Sequence, residues 1–164
     1  MGAAEPLATD TFTVGRLQRP DMCGRYSLFT PPEDIESQFG VPVEEYGPRY
    51  NAAPGQPLPV IADARADRLA RMEWGLVPAW ADDRDGHINA RAGTLHERPS
   101  FRDAFEQSTE GPLTAGRCLV PADGFYEWAD TGDGTQPYRV ALTGDRPFAM
   151  AGLWSQWRPE TTQT

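Results

Sequence analysis

The chain has no lysine; all 15 of its basic side chains are arginines. Any Schiff base this protein forms must therefore use an α-amino group, because an arginine guanidinium stays protonated and cannot condense with a carbonyl. Histidine occurs twice, as His87 and His96, and cysteine twice, as Cys23 and Cys118. That supply is too small and too scattered for the paired Cys/His spacing of a zinc site, so no metal and no other cofactor is expected. A disulfide is not expected either, since an intracellular chain of 164 residues can build its own core. Long apolar runs are missing too, and with them a signal-peptide core or a membrane span. The reading is a cytoplasmic monomer with no membrane partner.

Acidic residues are plentiful: the 24 Asp and Glu outweigh the arginines and set a formal charge of −9. On its own that charge argues against nonspecific nucleic-acid binding, which draws on Lys and Arg displacing condensed counterions. The acids are spread along the whole chain, however, as on a surface adapted to high salt, where negative charge maintains solubility. An arginine-lined groove remains compatible with that surface, and stacking or covalent capture would serve it better than screened Coulomb attraction.

Residues 1–21 show no hydrophobic period and read as a disordered extension, absent from or removed in the mature protein. Thr30-Pro31-Pro32-Glu33 announces a helix, with Thr as cap and Pro in the first turn, running to about Phe39 and stopping at Gly40; Ile35 and Phe39 should face the core. Residues 58–62 and 70–74 read as two strands joined by a polar turn near 65–67. An apolar loop, 75–80, and an acidic turn, 82–86, follow. Phe101 and Phe105, four apart, suit a short helix over 100–106. Strands are expected over 118–120 and 124–128, a hairpin turn over 131–134, an alternating strand over 138–142, and a buried strand over 147–154. The fold class is α+β, predominantly β, with many short strands and few helices.

Met22-Cys23 carries the most chemistry. With Cys23 as the first residue, one carbon bears both an α-amine and a thiol, and an α-amine titrates about two units below a lysine amine. Such an amine condenses with an aldehyde, and the thiol can then close a five-membered ring on the imine carbon. Read without that context, Cys23 is simply a small buried hydrophobe, as most free cysteines are. Glu127 sits among Phe125, Tyr126 and Trp128, where partial loss of water suits a carboxylate to proton transfer; alternation puts it on the face of Phe125. The bland alternative is an edge-strand glutamate facing solvent. Asn89 can donate to a sugar or aldehyde oxygen, and Arg91 two residues on can reach a phosphate, although asparagine is also an ordinary turn residue.

Five stretches share one order with a known family: Cys23-Gly24-Arg25-Tyr26, Arg49 to Gly55, Trp74 to Trp80, Ile88 to Arg91, and Arg117 to Trp128. Over Met22 to Trp154 the chain resembles the SRAP (SOS response-associated peptidase) family. The resemblance implies an open barrel of short strands and covalent capture of abasic sites in single-stranded DNA, as a thiazolidine, during the DNA damage (SOS) response. It further implies a peptidase capacity to remove the protein's own N-terminal segment, and lyase-type chemistry on the strand. Carried over by position, Cys23 is the nucleophile, Asn89 positions the reacting groups and Glu127 is the acid/base partner. Arg25 and Arg91 would hold phosphates, while Pro54 and Trp80 shape the DNA path; Trp74, Trp128 and Trp154 are assigned to the core. Two departures stand out: Gly93 occupies a position where the family carries an acid, and the chain stops at Thr164 before the family's later histidine segment. Residues 22–164 are thus expected to form an SRAP-like domain lacking its C-terminal part. The competing readings are a noncovalent single-strand binding module, which would not need Cys23, and an inactive truncated fragment.

Overall fold

A computed structural model describes residues 23–62, 69–82, 86–106 and 115–157. The extension before Met22, the turn near 65–67 and most of the acidic turn after Asp82 lie outside the described residues. Two four-stranded antiparallel sheets form the body, and they do not close into a complete barrel among those residues. The first has the order β2-β1-β6-β7, with β1 Tyr26–Leu28, β2 Arg49–Ala52, β6 Gly124–Asp130 and β7 Thr135–Val140. The second has the order β4-β3-β5-β8, with β3 Pro57–Ala62, β4 Ala70–Glu73, β5 Ala115–Ala122 and β8 Phe148–Ser155. Helices α1 (Pro32–Phe39) and α2 (Pro99–Glu106) are short, and a 3₁₀ turn spans Ala92–Glu97. The mostly β architecture expected from the spacing of turns is the one observed.

Tyr26, Leu28, Ile35, Ala52, Leu58 and Ala122 form the main core cluster, each at most 3% exposed. Because β1, β2, α1, β3 and β5 each contribute, this cluster fixes β1, and with it the chain just after Cys23. A smaller cluster of Val60, Ala62, Cys118 and Trp154 lies in the second sheet.

Helix α1 stops where expected: Gly40 adopts the left-handed conformation at φ 68°, and its N–H donates to the Glu36 carbonyl at 2.8 Å. Its start differs. The N-cap residue is Pro31 and makes no side-chain cap, because the Thr30 hydroxyl is donated instead to Asp123, far away in sequence. Asp123 is the single residue between β5 and β6, hence the corner at which the chain passes from one sheet to the other. It is fully buried. Its carboxylate accepts the N–H groups of Phe29, at 2.5 Å, and Thr30, at 2.9 Å. Its own N–H donates to the Ser27 carbonyl at 2.8 Å, and its carbonyl accepts Arg139 Nη2 at 2.8 Å. A buried charge is tolerable when hydrogen bonds replace its water, and here they tie the end of β1 to the corner.

Three other expectations shift. Trp128 is 44% exposed and belongs to no core cluster, since strand alternation turns it to the face opposite Phe125. β7 ends at Val140 rather than residue 142, and all six of its residues are exposed: it is a sheet edge, so alternation in its sequence has no second layer to meet. β8 is half-buried, with only Trp154 fully so, because it too is an edge strand and one flank borders an open cleft.

Candidate active site

Cys23 lies three residues before the start of β1 and is partly buried. Its thiol donates to the Arg25 carbonyl at 3.2 Å. The same carbonyl accepts the N–H of Tyr126 at 2.9 Å, so β6 grips the chain two residues past the thiol. Burial pushes the thiol above its ordinary range, and the negative charge of Glu127 adds to the rise; backbone hydrogen bonds at Arg25 and Tyr126 oppose it. The thiol and the Glu127 carboxylate therefore sense each other, although 104 positions separate them in sequence. Glu127 is half-buried in mid-β6, opposite Tyr138 of β7.

Asn89 reaches the same place by another route. Its side-chain Nδ2 donates to the Cys23 carbonyl at 2.8 Å. The segment carrying it is held by a backbone bridge in which Leu76 and His87 exchange N–H···O bonds, both 3.0 Å. That bridge needs glycine at Gly86, where a Cβ would sit 2.9 Å from the carbonyl carbon and oxygen of Gly75. One residue before Asn89, the Ile88 carbonyl accepts Trp74 Nε1 at 2.6 Å. Trp74, assigned to the core, is half-buried; its ring packs 5.5 Å from that of Tyr26. The Trp74 motif and the Ile88 motif are thus one device for aiming Asn89.

Asn89 is thus in direct contact with Cys23, and Glu127 bears on the thiol through its charge. The other candidates lie around them. Arg25 is exposed, and its Nη1 donates to Asn51 Oδ1 at 3.1 Å. Arg91 is exposed at the start of the 3₁₀ turn and lines a pocket of about 560 Å³ with Asn89, Thr94 and Arg98. Pro54 is half-buried in the turn between β2 and β3, whose Gly55 N–H donates to the Trp74 carbonyl at 2.8 Å. Trp80 is 63% exposed. Its loop is anchored by Ser155 Oγ, donating to the Val77 carbonyl at 2.5 Å, and by Trp157 Nε1, donating to the Ala81 carbonyl at 2.8 Å. Beside Cys23 and Asn89 opens an apolar cleft of about 730 Å³, bordered also by Tyr26, Leu119 and Leu153. His87 borders it, with its ring edge-on to Phe101 at 5.4 Å. Cys23 and Cys118 are not joined in a disulfide.

Sequence reasoning passed over Asn51, Asp123 and Tyr126. Tyr126 gives its N–H to Arg25 and its hydroxyl to the Tyr50 carbonyl, at 2.8 Å. All three lie inside the family-like motifs, which was the available signal; what they touch is not local.

Comparison with known proteins agrees with this architecture. The family model described as SOS response associated peptidase (SRAP) matches residues 22–164. The abasic site processing protein YoqW of Bacillus subtilis is 45% identical over 145 residues, covering 83% of this chain and 61% of that protein. HMCES of Gallus gallus, also called an abasic site processing protein, is 32% identical over 148 residues, covering 70% and 42%. YedK of Escherichia coli, with the same description, is 31% identical over 143 residues, covering 82% and 60%. The chain thus spans at most 61% of the length of each of these relatives. Among solved structures, a protein from Bacteroides thetaiotaomicron superposes with a TM-score of 0.72 at 24% identity, covering 85% of this chain and 63% of that one, a likeness of fold alone. A phage-related protein from Bordetella bronchiseptica superposes at 0.56 with 30% identity, covering 79% and 59%. With the family model matched over every described residue, this chain belongs to the SRAP family.

Proposed function

We propose that this chain captures abasic sites in single-stranded DNA by forming a covalent bond to Cys23, as part of a DNA damage response. The observation that carries the reading is the hydrogen bond from the Asn89 amide to the Cys23 carbonyl, beside a thiol on which the charge of Glu127 acts. Family membership and the description of YoqW, HMCES and YedK as abasic site processing proteins support it.

The chemistry follows from the ring-opened abasic sugar, which presents an aldehyde. In the mature form Cys23 is the first residue, exposed by a start at Met22 or by removal of the preceding segment. Its neutral α-amine adds to the aldehyde carbon, and loss of one water gives an imine. The thiol sulfur then bonds to the imine carbon, its proton passes to the nitrogen, and a thiazolidine closes with no oxidant or metal required. Glu127 accepts and returns the protons these steps move. Asn89, by holding the Cys23 carbonyl, fixes the direction of the amine and thiol. Arg25 and Arg91 take the flanking phosphates, and Pro54 and Trp80 border the path of the strand, Trp80 by stacking. Peptidase and lyase steps belong to the same site and use the same carboxylate. The working form is a monomer in the cytoplasm.

The test is a denaturing gel. Purified protein is incubated with a single-stranded oligonucleotide carrying one abasic site, and with an intact control. A band that resists denaturation is expected with the first alone. Equal retention of both strands, lost on denaturation, would instead establish a noncovalent binding module.

A further inference from the structure

Tyr50 lies on the edge strand β2, between Arg49 and Asn51, with 64% of its surface exposed. An aromatic ring that open on a flexible segment would be unremarkable, but this one is built into a stack. It lies nearly parallel to the ring of Phe29, at an interplanar angle of 20° and a centroid separation of 5.4 Å. The Arg139 guanidinium also lies over the Phe29 ring, 5.3 Å from its centroid. Arg139 is itself fastened at three points: to the Asp123 carbonyl at 2.8 Å, the Asp145 carboxylate at 3.0 Å and Ser27 Oγ at 3.3 Å. The Tyr50 main chain is also pinned, since its carbonyl accepts the Tyr126 hydroxyl. The ring has a stacking partner and a held backbone while most of its surface stays exposed.

The surroundings select what fits there. In a chain of net charge −9, the strand that carries Tyr50 has two exposed arginines at hand: Arg49 precedes the tyrosine, and Arg25 is hydrogen-bonded to the side chain of Asn51, which follows it. A planar group carrying phosphate suits a flat ring on a strand that also carries Arg49 and binds Arg25. Phe29, the partner in the stack, is six residues from Cys23, no more than about 20 Å along the chain.

We propose that the Tyr50 ring is a stacking platform for a nucleobase of the single strand, a few nucleotides removed from the abasic residue at Cys23. This rests on the reading of the chain as a single-strand capture protein, and it adds a contact that works whether or not the strand is damaged. Stacking accepts any base and is screened less by salt than ion pairs are.

Fluorescence anisotropy with an undamaged single-stranded oligonucleotide tests it, using the full chain and the Tyr50→Phe and Tyr50→Leu variants, with thermal melts to establish that each is folded. Tyr50→Phe should bind within about twofold of wild type, and Tyr50→Leu about 5- to 150-fold more weakly. Binding by folded Tyr50→Leu equal to that of wild type overturns the platform, and if that variant still forms the adduct with abasic DNA the capture reading stands. Wild-type protein that neither binds single strands nor forms an adduct overturns both. A second readout needs no substitution: photo-cross-linking of strands carrying 5-iodouracil at successive positions should attach at Tyr50 from one position a few nucleotides from the abasic site. Cross-links that never map to Tyr50 overturn the proposal.

Discussion

The side-chain amide of Asn89 donates to the main-chain carbonyl of Cys23 at 2.8 Å, joining positions 66 apart. An asparagine that bonds the backbone of a nucleophile orients it without touching the sulfur. Asn89→Asp should be worse than Asn89→Ala, because a carboxylate facing the Cys23 carbonyl repels it where alanine only releases it. Rates of adduct formation on abasic oligonucleotides should fall about 10-fold or more for Ala and further for Asp, each approach geometry being lost.

Glu127 acts on the thiol through its charge. Neutralising it as Glu127→Gln removes one of the contributions that raise the Cys23 thiol, so the pH midpoint of iodoacetamide alkylation should move down. Adduct formation should nevertheless slow, by about 10²–10⁴-fold, as a positioned proton carrier is lost. A thiol that ionises more readily yet captures DNA more slowly separates proton transfer from simple nucleophile activation. Thiol alkylation profiles and gel time courses on the same variant measure the two halves.

Asp123 is the corner between the sheets, and its carboxylate serves two backbone N–H groups and a hydroxyl. Asp123→Ala strands those donors in the interior and should cost at least about 2 kcal/mol, visible as a lower midpoint in urea unfolding. Since the same network holds the end of β1, the variant should also loosen the Cys23 segment, measured as faster hydrogen exchange at Tyr26 to Phe29.

Two tyrosines, Tyr26 buried and Tyr46 half-buried, set an alkaline limit. Burial raises the hydroxyl of Tyr26 above its ordinary range; it has no hydrogen-bond partner among the described residues. Burial, with the charge of Asp123 next in weight, pushes Tyr46 up to about 12. A folded-state value above the unfolded one means the associated stability is complete below the ordinary tyrosine range near pH 10, and is lost as pH rises toward 12. Thermal midpoints should therefore be level up to about pH 9 and fall beyond 10, in step with tyrosinate absorbance. Tyr46→Phe should start lower by about 1 kcal/mol, having lost its 2.6 Å bond to the Thr30 carbonyl, and decline less steeply.

Local signals in the sequence were legible where the physics is local. Pro32 and Gly40 bracket α1 because one fits a first turn and the other takes a left-handed conformation, and the 58–62 and 70–74 runs pair as a hairpin. Motif order singled out Cys23, Asn89 and Glu127; Asn89 is hydrogen-bonded to the Cys23 carbonyl, and the charge of Glu127 bears on the Cys23 thiol. What was not legible depends on distant pairing. Thr30 looks like a helix cap until Asp123, 93 positions away, takes its hydroxyl. Trp128 looks like core because it is large and apolar, but its burial depends on which layer faces β6, and its side of the strand is open. The half-exposure of β8 likewise follows from its place at a sheet edge, which no window of its own residues encodes.

The most direct test of the account is the mass of the joined peptide. Adduct formed on an abasic oligonucleotide is digested with nuclease and protease and analysed by tandem mass spectrometry. The account predicts a peptide that begins at Cys23, carries the sugar remnant with the loss of one water, and has neither a free amine nor a free thiol on that residue. A modified peptide that retains Met22 or earlier residues, or a remnant attached anywhere other than Cys23, would contradict it.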